Sequence, residues 1–277
     1  MSTPSPPMLG PTDAQALPTW RAAYSDRTAA MMAMFSELAY LAPTDQRLLA
    51  SLAGGGFSAP QVFATGGLQA FLTVNPAEFA VLAFPGTANP SDWGVDLNAL
   101  REPLPGFDGV GVHRGFWAAW QSMAATIHEA IDQLPTDLGL YITGHSLGGA
   151  LAQIASAELE RDTLAACYTF GSPRVATIAF DTCVKCPHYR LINAWDLVPG
   201  VPLPMVWWGY RHTGDARLIK GAAPKRILRR GRVVFAEIAV DLGSALRWLL
   251  TGKLAVVDDH MIWNYRTKLE GIAAARN

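Results

Sequence analysis

The chain is 277 residues long, half of it hydrophobic and 16% charged, with a formal net charge of −1. That length admits one large domain with a sizeable core, and so apolar a composition excludes a disordered chain. The near-neutral charge gives no footing for a nucleic acid or an acidic polymer as partner.

In chain order, residues 1–18 hold five prolines and read as a flexible arm ahead of a globular region over 19–277. Met1 to Leu17 carries neither the basic nor the apolar part of a secretory signal. That is consistent with a cytoplasmic location, a non-standard export route or a signal already removed. Thr19 to Leu41 reads as a helix with a broad Met-rich face, ended by Pro43. A turn begins at Gly54-Gly55-Gly56, and Gln61 to Val74 reads as two short strands joined at Gly66-Gly67. Phe79 to Phe84 is a strong apolar strand ending at Pro85-Gly86-Thr87, followed by a loop or short helix over 88–100.

Trp117 to Leu134 is an amphipathic helix, Leu138 to Thr143 a buried strand, and Leu147 to Leu159 a run of helix formers. Ala165 to Phe170 and Tyr189 to Trp195 are further strands. This alternation predicts an α/β protein with a mostly parallel central sheet flanked by helices on both faces. In such sheets the site lies beyond the carboxyl ends of the strands, where Thr87, Ser146 and Asp196 fall.

Two features stand apart further on. Residues 217–232 hold Arg217, Lys220, Lys225, Arg226, Arg229, Arg230 and Arg232 with no acid among them. Val233 to Leu250 then reads as a helix whose polar stripe is Glu237, Asp241, Ser244 and Arg247, which argues against a membrane span. Together these make a basic and apolar helical insertion at about 217–257, read first as core packing and alternatively as a segment that docks on anionic lipid. Cys167, Cys183 and Cys186 are too few for a disulfide framework. Cys183 and Cys186 have C-x-x-C spacing with no second pair to complete a metal site.

The stretch that carries chemistry is Gly144-His145-Ser146-Leu147-Gly148, a G-x-S-x-G between strand and helix. A nucleophilic serine on so sharp a turn crowds the residues two before and two after it, so both must lack bulk. The helix then aims its first N–H groups at the place where an oxyanion would form. Such a serine needs a histidine base oriented by a carboxylate. Downstream, Asp196 ends a strand, whereas Asp215 has the look of a hairpin turn in Thr213-Gly214-Asp215. His188, His212 and His260 also follow. No metal motif and no dinucleotide fingerprint is visible, so no cofactor is expected.

These residues resemble the fungal-type, class 3 lipases of the α/β-hydrolase superfamily, over about Leu82 to Tyr265. The matching blocks are Phe84-Pro85-Gly86-Thr87, Asp92-Trp93 with Asp96-Leu97, Val112 to Phe116, Thr143 to Ala150, Thr169 to Val175, Asn193 to Pro199, and Asp259-His260. Pro85 departs from the arginine usual in that family. The resemblance implies Ser146 as nucleophile, Asp196 as acid and His260 as base, with Thr87 and Leu147 forming the oxyanion hole. It implies a lid at 88–100, with Trp93, Val95 and Leu97 facing a cleft or a lipid surface. The activity implied is a serine carboxylic ester hydrolase cleaving acylglycerols, with a lipid or ester substrate and contact with a lipid interface. A phospholipase, a short-chain or aromatic esterase, a membrane-attacking effector and a catalytically silent lipid-binding relative stay as alternatives, and oligomeric state stays open.

Overall fold

The computed structural model describes residues 7–10, 17–18, 20–75, 79–87, 100–194, 196–201, 209–219, 224–226 and 259–276. Most of the expected arm lies outside these residues. So do 88–99 with Trp93, Val95 and Leu97, and 227–258 with the expected helix Val233 to Leu250.

In chain order the strands begin with β1 (Gln61–Thr65), β2 (Leu68–Asn75), β3 (Phe79–Phe84), β4 (Arg101–Pro103), β5 (Gly111–His113) and β6 (Gly139–His145). They continue with β7 (Leu164–Phe170), β8 (Ala176–Thr177), β9 (His188–Asn193), β10 (Tyr210–Arg211), β11 (Asp215–Ile219) and β12 (Pro224–Arg226). The helices are α1 (Asp26–Leu38), α2 (Gln46–Gly54), α3 (Arg114–Asp132), α4 (Leu147–Glu158) and α5 (Ile262–Arg276).

The main sheet has eight strands in the order β1-β2-β3-β6-β7-β9-β11-β12. Its centre, β3 through β11, is parallel, and β1, β2 and β12 pair antiparallel at the flanks. Every residue of β3, β6, β7 and β9 is buried, as expected for strands covered on both faces. The two-residue side-chain period splits them between two cores. Ala80, Leu82, Phe84, Leu140 and Ile142 join the cluster containing α3 and α4. Phe79, Val81, Ala83 and Tyr141 join the one containing α1, α2 and α5. Gly66 and Gly67 close the β1–β2 hairpin with φ of 53° and 83°, the positive values a two-residue hairpin turn demands.

Several boundaries differ from the sequence reading, each for a local reason. α1 starts at Asp26, not Thr19, because the Ser25 side chain accepts from Thr28 N–H at 3.0 Å as an N-cap. Residues 20–25 ahead of it are not helical, with Ala22 N–H donating to Ala165 O at 2.8 Å. α3 starts three residues early because His113 Nδ1 accepts from Gly115 N–H at 3.2 Å. α2, capped by Asp45, was not anticipated, nor was a second sheet in the order β10-β8-β5-β4. Asp215 is no hairpin turn: it opens β11, which runs parallel to β9.

Candidate active site

The G-x-S-x-G stretch joins β6 to α4 through Ser146, whose φ of 55° and ψ of −123° lie outside the regions an L-residue prefers. Holding a side chain there costs about 1–3 kcal/mol. Among the described residues, Arg21 is the only other non-glycine with positive φ. Ser146 N–H donates to Phe170 O at 2.9 Å, which ties the turn to the next strand. The small neighbours are required sterically. A Cβ on Gly144 would run into the Gly148 carbonyl, and one on Gly148 into the carbonyls of Phe84 and Pro85. One on Gly86 would meet Ser146 Cβ at 2.8 Å, so the loop after β3 lies directly against the serine. Thr87 is the next residue of that loop. Leu147 is the first residue of α4, where a helix N–H has no intrahelical acceptor.

Asp196 lies three residues past β9, and His260 lies two residues before α5. Both are 1% exposed. His260 Nδ1 stands 2.8 Å from each Asp196 carboxylate oxygen. A carboxylate only accepts, so Nδ1 carries the proton and Nε2 is left as the basic nitrogen. Asp196 Oδ2 also accepts from the Tyr265 hydroxyl at 2.6 Å, and Oδ1 from Val198 N–H at 2.9 Å. Tyr265 in turn accepts from Asn193 N–H at 2.9 Å, joining α5 to the end of β9. Burial first, then Asp196, pushes the Tyr265 phenol well above its ordinary range, so it stays a donor. Gly171, at φ 55°, forms the floor: a Cβ there would meet Asp196 Oδ2 at 2.6 Å and the His260 ring at 3.0 Å.

Asp215 sits at the other end of the sheet. It pairs with Tyr189 near the start of β9, whereas Asp196 follows the end of that strand. The remaining histidines are held in structural positions. His145 Nε2 is 2.7 Å from the His260 carbonyl, and burial, followed by the nearby His260, holds its pKa well below the ordinary value. His212 Nε2 is 2.7 Å from Pro199 O, and burial, Arg190 and Arg174 likewise keep it neutral. His188 Nε2 pairs with Thr169 Oγ1 at 3.0 Å. His113 caps α3 and stacks on Phe116, with ring centroids 4.2 Å apart. The three cysteines are free and buried, and burial pushes the Cys186 thiol up to about 12. Among the described residues no group of three or more His, Cys, Asp or Glu is placed to hold a metal.

The structure therefore brings Ser146, Asp196, His260, Thr87 and Leu147 to the carboxyl end of the parallel strands. Sequence reasoning missed Tyr265 and Tyr40. Tyr265 had one signal, an aromatic hydroxyl five residues after His260 that must find a partner if buried. Tyr40 had none.

A parallel sheet covered on both faces, with a serine on a strained strand-to-helix turn, is the architecture of the α/β-hydrolase fold. Residues 81–205 match the family described as Lipase (class 3). A secreted mono- and diacylglycerol lipase of Fusarium solani is 36% identical over 163 residues, 56% of this chain and 48% of that protein. A lipase of Rhizomucor miehei is 30% identical over 159 residues, 53% of this chain and 43% of that one. The chain's match thus spans just under half the length of either relative. A crystal structure of a lipase from Rhizopus microsporus var. chinensis shares the fold, with a TM-score of 0.63 and 22% identity over 82% of this chain and 87% of that one. Residues 81–205 are thus similar to the class 3 lipases, and the fold is that of the α/β-hydrolases.

Proposed function

We propose that the protein is a serine carboxylic ester hydrolase acting on acylglycerols. The observation that carries this reading is the buried Asp196–His260 pair at the same end of the sheet as the strained Ser146 turn. Ser146 Oγ attacks the ester carbonyl while His260 Nε2 takes its proton, and Asp196 stabilises the imidazolium. The tetrahedral oxyanion is received by the N–H groups of Leu147 and Thr87, with the Thr87 hydroxyl as a third donor. The C–O bond then breaks, His260 returns the proton to the leaving alcohol, and water releases the acyl group by the same steps. Tyr265 and Val198 N–H keep the Asp196 carboxylate in place throughout.

The acylglycerol substrate is supported by the mono- and diacylglycerol lipase of Fusarium solani among the relatives. In this reading residues 88–100 form a lid, and Leu100 at its described end is exposed. The test is hydrolysis of p-nitrophenyl esters from short to long acyl chains, and of emulsified triacylglycerol, by the wild type and Ser146→Ala. Long-chain and emulsion activity that drops at least about 10⁴-fold in the variant is the expected result. Activity confined to short soluble esters replaces the lipase by an esterase, and activity on phospholipid vesicles alone replaces it by a phospholipase. Silence of the folded wild type on every substrate overturns the reading.

A further inference from the structure

Tyr40 follows α1 by two residues and is far in sequence from every residue assigned a chemical role. Its hydroxyl nevertheless reaches the centre of the site. The Tyr40 hydroxyl is 2.7 Å from His145 Nδ1, and the Gly86 N–H bonds to the same oxygen. Gly86 lies so close that a Cβ there would run into that hydroxyl. On the far side of the ring, His145 Nε2 is 2.7 Å from the backbone carbonyl of His260.

The directions of these bonds follow from the groups themselves. A carbonyl only accepts, so His145 Nε2 carries the ring proton. A neutral ring then has a bare Nδ1, which accepts from the Tyr40 O–H. The Tyr40 oxygen, having donated its hydrogen, accepts from Gly86 N–H. All three bonds run one way, from Gly86 through Tyr40 and His145 to His260. The chain touches three segments of the site: the loop carrying Thr87, the turn carrying Ser146, and the segment carrying the histidine base.

We propose that Tyr40 and His145 are positioning residues whose hydrogen-bond chain sets the Gly86–Thr87 loop and the His260 segment against Ser146. The proposal rests on the ester-hydrolase reading of that site. Neither residue is given a bond to substrate; the His145 ring packs on the His260 ring, with centroids 4.5 Å apart. Tyr40 holds the loop by its Gly86 N–H and so fixes the direction of the Thr87 donor beside it. His145 holds the His260 backbone and so fixes where Nε2 points. The effect belongs to the transition state, because the oxyanion and the imidazolium exist only there.

Three variants and two readouts test this. Tyr40→Phe keeps the ring and removes the hydroxyl; His145→Gln keeps a donor for the His260 carbonyl and gives up the geometry toward Tyr40. Each is expected to lower kcat on a soluble p-nitrophenyl ester about tenfold, with KM changed less than about twofold. Because both act through one chain, the double variant is expected to fall no further than the worse single one. Unchanged kcat in folded Tyr40→Phe, a loss confined to KM, or losses that multiply would each overturn the proposal.

The second readout needs no turnover. Nitrogen NMR of histidine-labelled protein, with His145 identified by its absence in His145→Gln, is expected to show the Nε2–H tautomer. In Tyr40→Phe the Nδ1 resonance is expected to move toward that of an acceptor lacking its donor. An Nδ1–H tautomer in the wild type, or an Nδ1 signal indifferent to Tyr40→Phe, contradicts the chain. A protein that hydrolyses no ester yet shows this tautomer and this shift counts against the ester-hydrolase reading and leaves the hydrogen-bond chain standing.

Discussion

Ser146 keeps its unusual backbone angles because two glycines let the turn close against β3. Gly148 is the one that meets β3 and the loop after it: the atoms facing its missing Cβ are the carbonyl oxygens of Phe84 and Pro85, backbone that cannot rotate aside. Alanine favours a helix over glycine by about 1 kcal/mol, yet Gly148→Ala is expected to lose about 3 kcal/mol or more, because overpacking moves a central strand. Gly271, inside α5 with nothing within 4 Å of its position for a Cβ, is the control. Gly271→Ala is expected to gain about 0.5–1 kcal/mol. Urea unfolding of both variants measures the pair, and a Gly148→Ala protein as stable as the wild type would contradict the close approach. This turn was legible in the sequence because a contiguous pentapeptide encodes it. Asp196 and His260 were legible only through chain order and resemblance. Tyr40 and Tyr265 act on partners 105 and 69 residues away, and no local pattern reports such distances.

At the scale of elements, α5 positions His260 and is itself held against α1. Arg266 Nε donates to Glu37 Oε2 at 2.6 Å, and its NH1 reaches Glu270 one turn on at 3.1 Å. The Arg266 and Glu37 side chains are 8% and 15% exposed, so removing one strands the other's charge. Burial raises the Glu37 pKa, opposed by Arg266. Arg266→Met is expected to cost about 3 kcal/mol at pH 7. The folded variant binds a proton at Glu37 that the unfolded chain does not hold, so lowering the pH favours the folded state and the loss shrinks. Denaturation of wild type and variant at pH 7 and pH 5 tests the sign, and a loss that grows in acid would refute it. The central strands could be read beforehand because they are continuous apolar runs. The small second sheet could not, since its strands are two or three residues long and pair across long stretches of chain. Helix starts went wrong where a side chain, Ser25 or His113, set the first turn. Asp215 misled because parallel pairing leaves no mark at the strand's first residue.

For the molecule as a whole, His145 and His212 are neutral because burial holds their pKa values well below the ordinary one. In the unfolded chain both bind protons near pH 6.5, so acid favours unfolding. Each is expected to remove about 0.7 kcal/mol of stability between pH 7 and pH 6, given an unfolded pKa of about 6.5 and 2.303RT per unit. Guanidinium unfolding of the wild type, His145→Gln and His212→Gln across that interval tests this: each variant is expected to lose less stability than the wild type between pH 7 and pH 6, and an unchanged pH dependence in either would contradict a neutral ring at that position. The two sheets have a further consequence for how copies of the chain behave in company. Among the described residues their four outer strands are β1, β12, β4 and β10. Pro60 immediately precedes β1, Pro224 opens β12 and Pro103 closes β4, while β10 is two residues long. A proline has no N–H to offer a neighbouring strand, and a two-residue strand offers too short a row to hold one. Among the described residues, the β12, β4 and β10 rims are thus poor templates for a second copy, which discourages strand-by-strand aggregation there.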